Sequence, residues 1–163
     1  QPEDKGWSFP YPDPVEEIDI GDFGVSGCRN GHDITIMTYG NGFYFAKQAE
    51  KILLEKHNIK CKLIDLRWIA PLNKAKLIDE INNGTVELNK KNKVLIVDEC
   101  RKTGSFSEAL VSMMVEFMPV LPQIKVVAAH DCFITLGVAA AAGLPSKNEI
   151  IDTCLSMLGK QTS

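Results

Sequence analysis

The chain has 163 residues, 45% of them apolar and 24% charged, with 18 basic against 21 acidic side chains and a formal net charge of −3. That is the make-up of one globular domain able to bury a core without disulfide staples, and it lacks the basic excess on which nucleic-acid binding draws. No apolar run approaches the ~20 residues of a membrane-spanning helix, and no charged-then-apolar start reads as a signal peptide. Neither nucleic acid nor membrane is expected among its partners. The first residue is Gln1 rather than Met, as expected of an excised or processed piece. Five cysteines, at 28, 61, 100, 132 and 154, form no Cys-x-x-Cys pair, and the three histidines add no metal-ligand spacing. An odd, unpaired set fits a reducing compartment, the cytoplasm or the mitochondrial matrix.

In chain order, the first fourteen residues hold four of the eight prolines together with Trp7, Phe9 and Tyr11. Alternating prolines favour extended backbone, so residues 1–17 read as a proline-rich arm or linker and 18–160 as the domain. A short strand is expected at Asp22–Ser26, then a Gly-, Asn- and Asp-rich turn, then a β-branched strand at Ile34–Tyr39. Phe45, Ala46, Ala49, Ile52 and Leu53 have helical spacing and predict a helix over Phe43–Lys56 with Phe45 in the core. Cys61–Leu66 is the next strand. Asn73 caps a helix carrying Ala75, Leu77, Ile78 and Ile81. Val94–Val97 is apolar without alternation, the pattern of a strand covered on both faces. Ser105 or Ser107 caps a helix running to Phe117, Ile124–Ala128 is a further strand, and Lys147–Leu158 is the last helix. Alternating strands and helices imply a largely parallel sheet. The turn after the first strand is too short for a crossover, so that strand runs antiparallel. The fold class is α/β: a three-layer α/β/α sandwich with a mixed five-stranded sheet.

Several motifs invite a sharper reading. Gly40-Asn41-Gly42 between a strand and a helix, with Asp65 ending the next strand, imitates a dinucleotide fingerprint. Phe45 stands where a third glycine belongs, and two glycines at such a turn more often supply backbone freedom only. The Arg101–Ser105 segment leads into a helix N-terminus that could face an anion, although the phosphate-loop order is missing. His130, Asp131 and Cys132 are adjacent, and neighbours on a strand end point apart, which is poor geometry for a nucleophile and its base.

Taken together, the loop sequences carry more. Gly31-x-Asp33-Ile-Thr-Ile, Thr38-Tyr39-Gly40, Ile64-Asp65-Leu66-Arg67-Trp68-Ile69-Ala70-Pro71-Leu72, Val97-Asp98-Glu99 with Thr103-Gly104 and Ser107-Glu108, and Leu144-Pro145-Ser146 occur in that order. This succession resembles the C-terminal domain of the transketolase family. The likeness is greatest to the β subunit, or β-like half, of thiamine-dependent 2-oxoacid dehydrogenases of the pyruvate and branched-chain type. Trp68 and Asp131-x-Phe133-Ile134-x-Leu136-Gly137 look most like enzymes with fused α and β halves.

The resemblance implies a five-stranded domain whose first strand is antiparallel, serving dimer contact and docking to the acyltransferase, or lipoyl, component. The α subunit or the remaining domains of the same enzyme would be further partners. Thiamine diphosphate and magnesium are implied for the intact enzyme, and none for this fragment. The family's Gly-Asp-Gly and Asn-Asn signature is not matched, because Phe23 follows Gly21-Asp22 and Asn82-Asn83 lies too far along. No catalytic, cofactor-binding or metal residue is therefore assigned, and the isolated domain is expected to be inactive. A stand-alone small-ligand or dinucleotide module, and the equivalent domain of a ferredoxin-linked oxoacid oxidoreductase or another transketolase relative, are the alternatives. If the family order applies, the Ile34 strand is central and a crevice opens at the carboxyl ends of the Ile34 and Val94 strands. Gly40, Asn41 and Gly42 would line one lip and Glu99, Thr103 and Gly104 the other, as a contact or small-anion site.

Overall fold

The computed structural model describes residues 13–14, 17–83, 92–133, 136, 139 and 142–160. The expected arm, apart from Asp13, Pro14 and Glu17, lies outside the described residues, as does much of the run from Ile134 to Ala141. Nine elements follow in order: β1 (Gly24–Gly27), β2 (Ile34–Thr38), α1 (Asn41–His57), β3 (Cys61–Asp65), α2 (Lys74–Asn82), β4 (Lys93–Arg101), α3 (Phe106–Phe117), β5 (Gln123–Ala129) and α4 (Lys147–Met157). They correspond to the elements read from the pattern. The largest differences are that β4 continues through Arg101 and that β1 starts two residues later than expected. Asp22 and Phe23 are drawn out of the strand: Asp22 is ion-paired with Lys76, and Phe23 is buried in the core.

The sheet order is β1-β3-β2-β4-β5. β2 pairs in parallel with β3 and β4, β4 pairs in parallel with β5, and β1 lies antiparallel on β3. Every residue of β2 and β3 is buried, as expected of interior strands in a sheet covered on both faces. α1 and α4 cover one face, packing Ala46, Ala49, Leu53, Ile150 and Leu155 against Ile34, Ile36 and Leu63. α2 and α3 cover the other with Leu77, Ile81, Leu110 and Met114 against Met37, Ile64 and Ile96. Phe45 is half-buried at the rim of the first core, not inside it as the periodicity suggested. The shorter Ala46 and Ala49 take the inner positions, because they let α1 lie close to the sheet.

Helix ends are specified in different ways. Ser146 and Glu149 form a reciprocal capping box at α4, and Asn73 Oδ1 accepts from the Lys76 amide at α2. Asn58 ends α1 in the left-handed conformation at φ 51°, which Asn tolerates better than other non-glycine residues. The C-terminus of α2 has no basic residue of its own in its last turn. Lys62 of β3, fully buried, supplies the charge instead. Its Nζ donates to Glu80 O at 2.8 Å and Asn83 O at 2.7 Å and pairs with Glu80 Oε1 at 2.8 Å. All three ammonium protons are thus used, which is how a buried cation is tolerated.

His32 stands beside this group. It is 3% exposed, its Nε2 lies 3.1 Å from Thr35 Oγ1, and Thr35 is the register partner of Lys62 across the sheet. Burial, reinforced by the Lys62 charge, holds the imidazole down to about 4. The unfolded chain, with an ordinary histidine near 6.5, takes up this proton first. The stability contributed by neutral His32 is therefore complete above about pH 6.5 and is lost as pH falls toward 4. Urea unfolding at pH 7, 5.5 and 4 should show this loss, and His32→Gln should remove a share on the order of 2–3 kcal/mol from it. Identical pH slopes for the two proteins would refute the assignment.

Candidate functional site

The carboxyl ends of β2 and β4 face one another where the chain's connections diverge, α1 leaving β2 for one face and α3 leaving β4 for the other. In an open parallel sheet this is where a crevice forms. Asp98 and Glu99 lie at its centre, and adjacent strand residues point to opposite faces. Asp98 turns toward α3 and is wholly buried. Its Oδ1 accepts from the Tyr39 hydroxyl and from the Cys100 amide at 2.8 Å, and its Oδ2 accepts from the Ser107 amide at 3.0 Å. Burial opposes its ionisation, but these donors outweigh it and hold the carboxyl below the usual range. Burial, then the hydrogen bond to Asp98, drives the Tyr39 phenol far above its ordinary value, so it remains a donor.

Asp98 thereby caps α3. Ser105 occupies the N-cap position, as one of the two expected alternatives, but its side chain makes no capping bond. Its Oγ instead meets Ser107 Oγ at 2.6 Å. Glu99 faces the start of α1. That helix has no acidic residue in its first turn and no cap from Gly40, and the Glu99 carboxyl lies beside the Gly40–Gly42 turn, where the Gly42 amide favours its ionised form. Burial and the neighbouring Asp98 push the Glu99 carboxyl up, with the Gly42 amide opposing them.

Two glycines are required here by geometry. Gly40 has φ 57° and ψ −137°, a conformation open almost only to glycine, and a Cβ on it would stand 3.7 Å from Glu99 Oε2. Gly42 is buried in ordinary helical backbone, and a Cβ there would collide with Thr38 Oγ1. The close helix–strand approach of a dinucleotide fold is therefore present, made by Gly42. Asp65, which stood in the place of a ribose ligand, is held by Arg67 Nε at 2.9 Å.

Of the six candidate residues, the structure brings Gly40, Gly42 and Glu99 together, with Asn41 exposed on the first turn of α1. Thr103 and Gly104 take other partners. Thr103 donates from its amide at 2.9 Å and its hydroxyl at 2.6 Å to Asp131, and the Gly104 amide donates to Glu108 Oε2 at 3.0 Å. Asp131 therefore latches the β4–α3 loop to the end of β5. The Gly104 amide, which would have faced an anion, already holds a carboxylate from the same chain. Asp98 is the residue that motif reading underrated. The first carboxylate after an uninterrupted apolar run was its signal.

Thiamine diphosphate and magnesium, implied for the intact enzyme, find no site at Gly21-Asp22 and Asn82-Asn83, the nearest match to their sequence signature. Asp22 is committed to Lys76, in the first turn of α2, and the Asn83 carbonyl to Lys62, at the helix's other end. These residues do not converge on one site, and they do not fit the group. Among the described residues no cluster of three or more His, Cys, Asp or Glu is arranged to hold a metal ion, and no helix is long and apolar enough to cross a membrane.

A mixed five-stranded sheet with an antiparallel first strand and helices on both faces defines a doubly wound α/β domain. The chain belongs to the family described as Transketolase, C-terminal domain, which matches residues 25–147. It is 31% identical over 149 residues to the pyruvate dehydrogenase E1 component subunit beta of Staphylococcus aureus, covering 89% of this chain and 43% of that protein. It is 38% identical over 88 residues to the 2-oxoisovalerate dehydrogenase subunit beta of Bacillus subtilis (strain 168), covering 54% of this chain and 24% of that protein. A solved structure titled "Split gene transketolase, inactive beta4 tetramer" shares the fold at a TM-score of 0.67 and 19% identity, over 92% of this chain and 45% of that one. The chain thus spans less than half the length of these relatives.

Two substitutions test the geometry. Gly42→Ala should destabilise the domain by about 1–3 kcal/mol through overpacking against Thr38. In a Thr38→Ala background the same change should be neutral or stabilising, because Ala is the better helix former by about 1 kcal/mol. Equal costs in both backgrounds, read from denaturant midpoints, would exclude the collision. Asp98→Asn keeps the shape but sets an amide N–H₂ against a buried donor, and should cost about 2–3 kcal/mol. A variant with an unchanged melting temperature would show that the three donors have other acceptors.

Proposed function

We propose that this chain is the C-terminal assembly and docking domain of a thiamine diphosphate-dependent 2-oxoacid dehydrogenase, in the place held by the C-terminal part of its β subunit. The observation that carries the reading is the extended similarity to such a β subunit across 89% of the chain, on a family match that covers the sheet and three of its helices. The domain holds no step of the decarboxylation itself. Asp98 is spent on the capping of α3 and Glu99 faces the start of α1, whereas catalysis there would need an acid–base pair facing a free volume. Its partners are the remaining domains or α subunit of the enzyme, and the acyltransferase or lipoyl component, with the intact enzyme a dimer. Residues 18–160 form the domain and 1–17 an arm that lies along a neighbouring part. The surroundings are a reducing compartment, the cytoplasm or the mitochondrial matrix, where all five cysteines stay free thiols.

Calorimetric titration of this chain with thiamine diphosphate and magnesium should give no binding heat, and pyruvate or a branched-chain 2-oxoacid should not be decarboxylated. The full-length gene product with its partner subunit should do both. Micromolar, magnesium-dependent binding by the chain alone, or a full assembly without oxoacid decarboxylation, would overturn the reading.

A further inference from the structure

Cysteines gather at the amino end of the sheet, on the side away from the crevice. Cys61 opens β3, Cys28 follows β1, and Cys154 lies in α4. β1 and β3 are antiparallel with Gly27 opposite Lys62, so the next step sets Cys28 opposite Cys61, and the Cys28 amide donates to Cys61 O at 2.8 Å. Residues facing each other at such a hydrogen-bonded position have Cα atoms about 5.5 Å apart, inside the span that a disulfide bridges. Side chains alternate along a strand, and Cys28 falls on the face of Ser26 and Leu63, the face on which Cys61 enters the first core. The two backbones are pressed together here: a Cβ on Gly27 would stand 2.5 Å from Cys61 O. Cys100 in β4 and Cys132 after β5 stand at the other end of the sheet.

The three thiols differ in access. Cys61 and Cys154 are fully buried, whereas Cys28 is half-buried and donates to Asn30 O at 3.0 Å. Burial, then Cys154, Glu50, Asp33 and Cys28 around it, push the Cys61 thiol far up, and burial pushes Cys154 up to about 12. Neither buried thiol therefore meets an oxidant as a thiolate. We propose that Cys28 and Cys61 form a reversible dithiol–disulfide modification site, with hydrogen peroxide as the oxidant and Cys28 as the thiol it reaches. The Cys28 thiolate attacks one peroxide oxygen and the O–O bond breaks. The hydroxide that leaves takes up the proton the thiol lost and departs as water, and Cys28 is left as a sulfenic acid. Cys61 sulfur then attacks Cys28 sulfur, the S–O bond breaks, and the leaving hydroxide carries off the Cys61 proton as a second water. The two thiols lose two electrons in all, and one peroxide becomes two waters. In a reducing compartment the resting form is the dithiol, restored after oxidation by exchange with a small dithiol. The bridge fastens β1, an edge strand, to interior β3 and closes a loop that holds β2 and α1. None of this depends on which enzyme the domain serves.

Peptide mapping of this chain tests the site: hydrogen peroxide at neutral pH, quenching with an alkylating reagent in denaturant, then digestion without reductant. The Cys28–Cys61 bridge should exceed any other cysteine pair by about tenfold and should disappear after dithiothreitol. When the chain is unfolded in urea before oxidation that preference should be lost, because strand register sets the pair. In Cys61→Ala, dimedone should trap Cys28 as its sulfenic acid. In Cys28→Ser, Cys61 should be recovered fully alkylated. Cys28 belongs to neither core, so Cys28→Ser keeps the fold and separates loss of the site from loss of structure. Thiols at 28 and 61 that both remain alkylatable after peroxide would overturn the proposal. So would a dominant bridge between Cys61 and Cys154, or Cys28 driven on to sulfinic acid with Cys61 untouched. A Cys28–Cys61 yield no higher in the folded chain than in the unfolded one would overturn it as well.

Discussion

A single buried carboxylate organises the working end of this domain. Moving an ionised carboxyl out of water costs several kcal/mol unless it is fully hydrogen-bonded, so Asp98 is tolerated only where its donors converge. Those donors come from three places: Tyr39 at the end of β2, Cys100 within β4 and Ser107 in the first turn of α3. The ladder between β4 and β5 changes register between Asp98 and Arg101, where the strand bends to deliver the Cys100 amide to its own side chain. The end of one strand, the irregularity of another and the start of a helix are therefore one constraint. The edge-to-face contact of Tyr39 with Phe106, at 6.2 Å between ring centroids, fills the space around it with apolar surface.

Glu99 extends the same logic to the other face of the sheet. Consecutive residues of a strand alternate, so Asp98 caps α3 on one side while Glu99 faces the start of α1 on the other. Lys62 completes the scheme at the opposite pole of α2, where a strand lysine meets helix carbonyls. At the start of α1 and the end of α2, which have no suitably charged residue facing that end, the sheet supplies the charge, while α3 has Glu108 of its own beside Asp98. This arrangement has a functional consequence. An open α/β sheet that binds a ligand leaves its helix amides and carboxylates free at the switch point. Here the first-turn amide of α3 is satisfied from within the domain by Asp98.

Much of this was legible in the sequence, for physical reasons that differ by element. The helical spacing of Ala46, Ala49 and Leu53 located α1, and the unbroken apolar run Val94–Val97 located β4. Asn73 marked the start of α2 because its cap is local. The start of α3 was less clear, because its cap comes from a residue nine positions earlier on a different element. Phe45 illustrates the limit of periodicity: spacing tells which face a residue shares, not how near the sheet its helix lies. Gly42 and Thr38 set that distance, and the dinucleotide-like Gly40-Asn41-Gly42 turn is explained by close packing without a nucleotide.

By itself the sequence determined the class of fold, the antiparallel entry of β1 and the succession of loop motifs shared with the transketolase C-terminal domain family. These depend on local pattern and on connection length, which any reading of the chain contains. Only the tertiary structure decided that Glu99 faces Gly42 while Thr103 turns to Asp131, splitting one expected lip into two separate contacts. It alone decided that Lys62, in the middle of a buried strand, ends under α2 as a fully bonded cation. Such pairings join residues far apart in the chain. Their geometry is set by strand register and by helix placement over the sheet, neither of which is written in any one stretch of sequence.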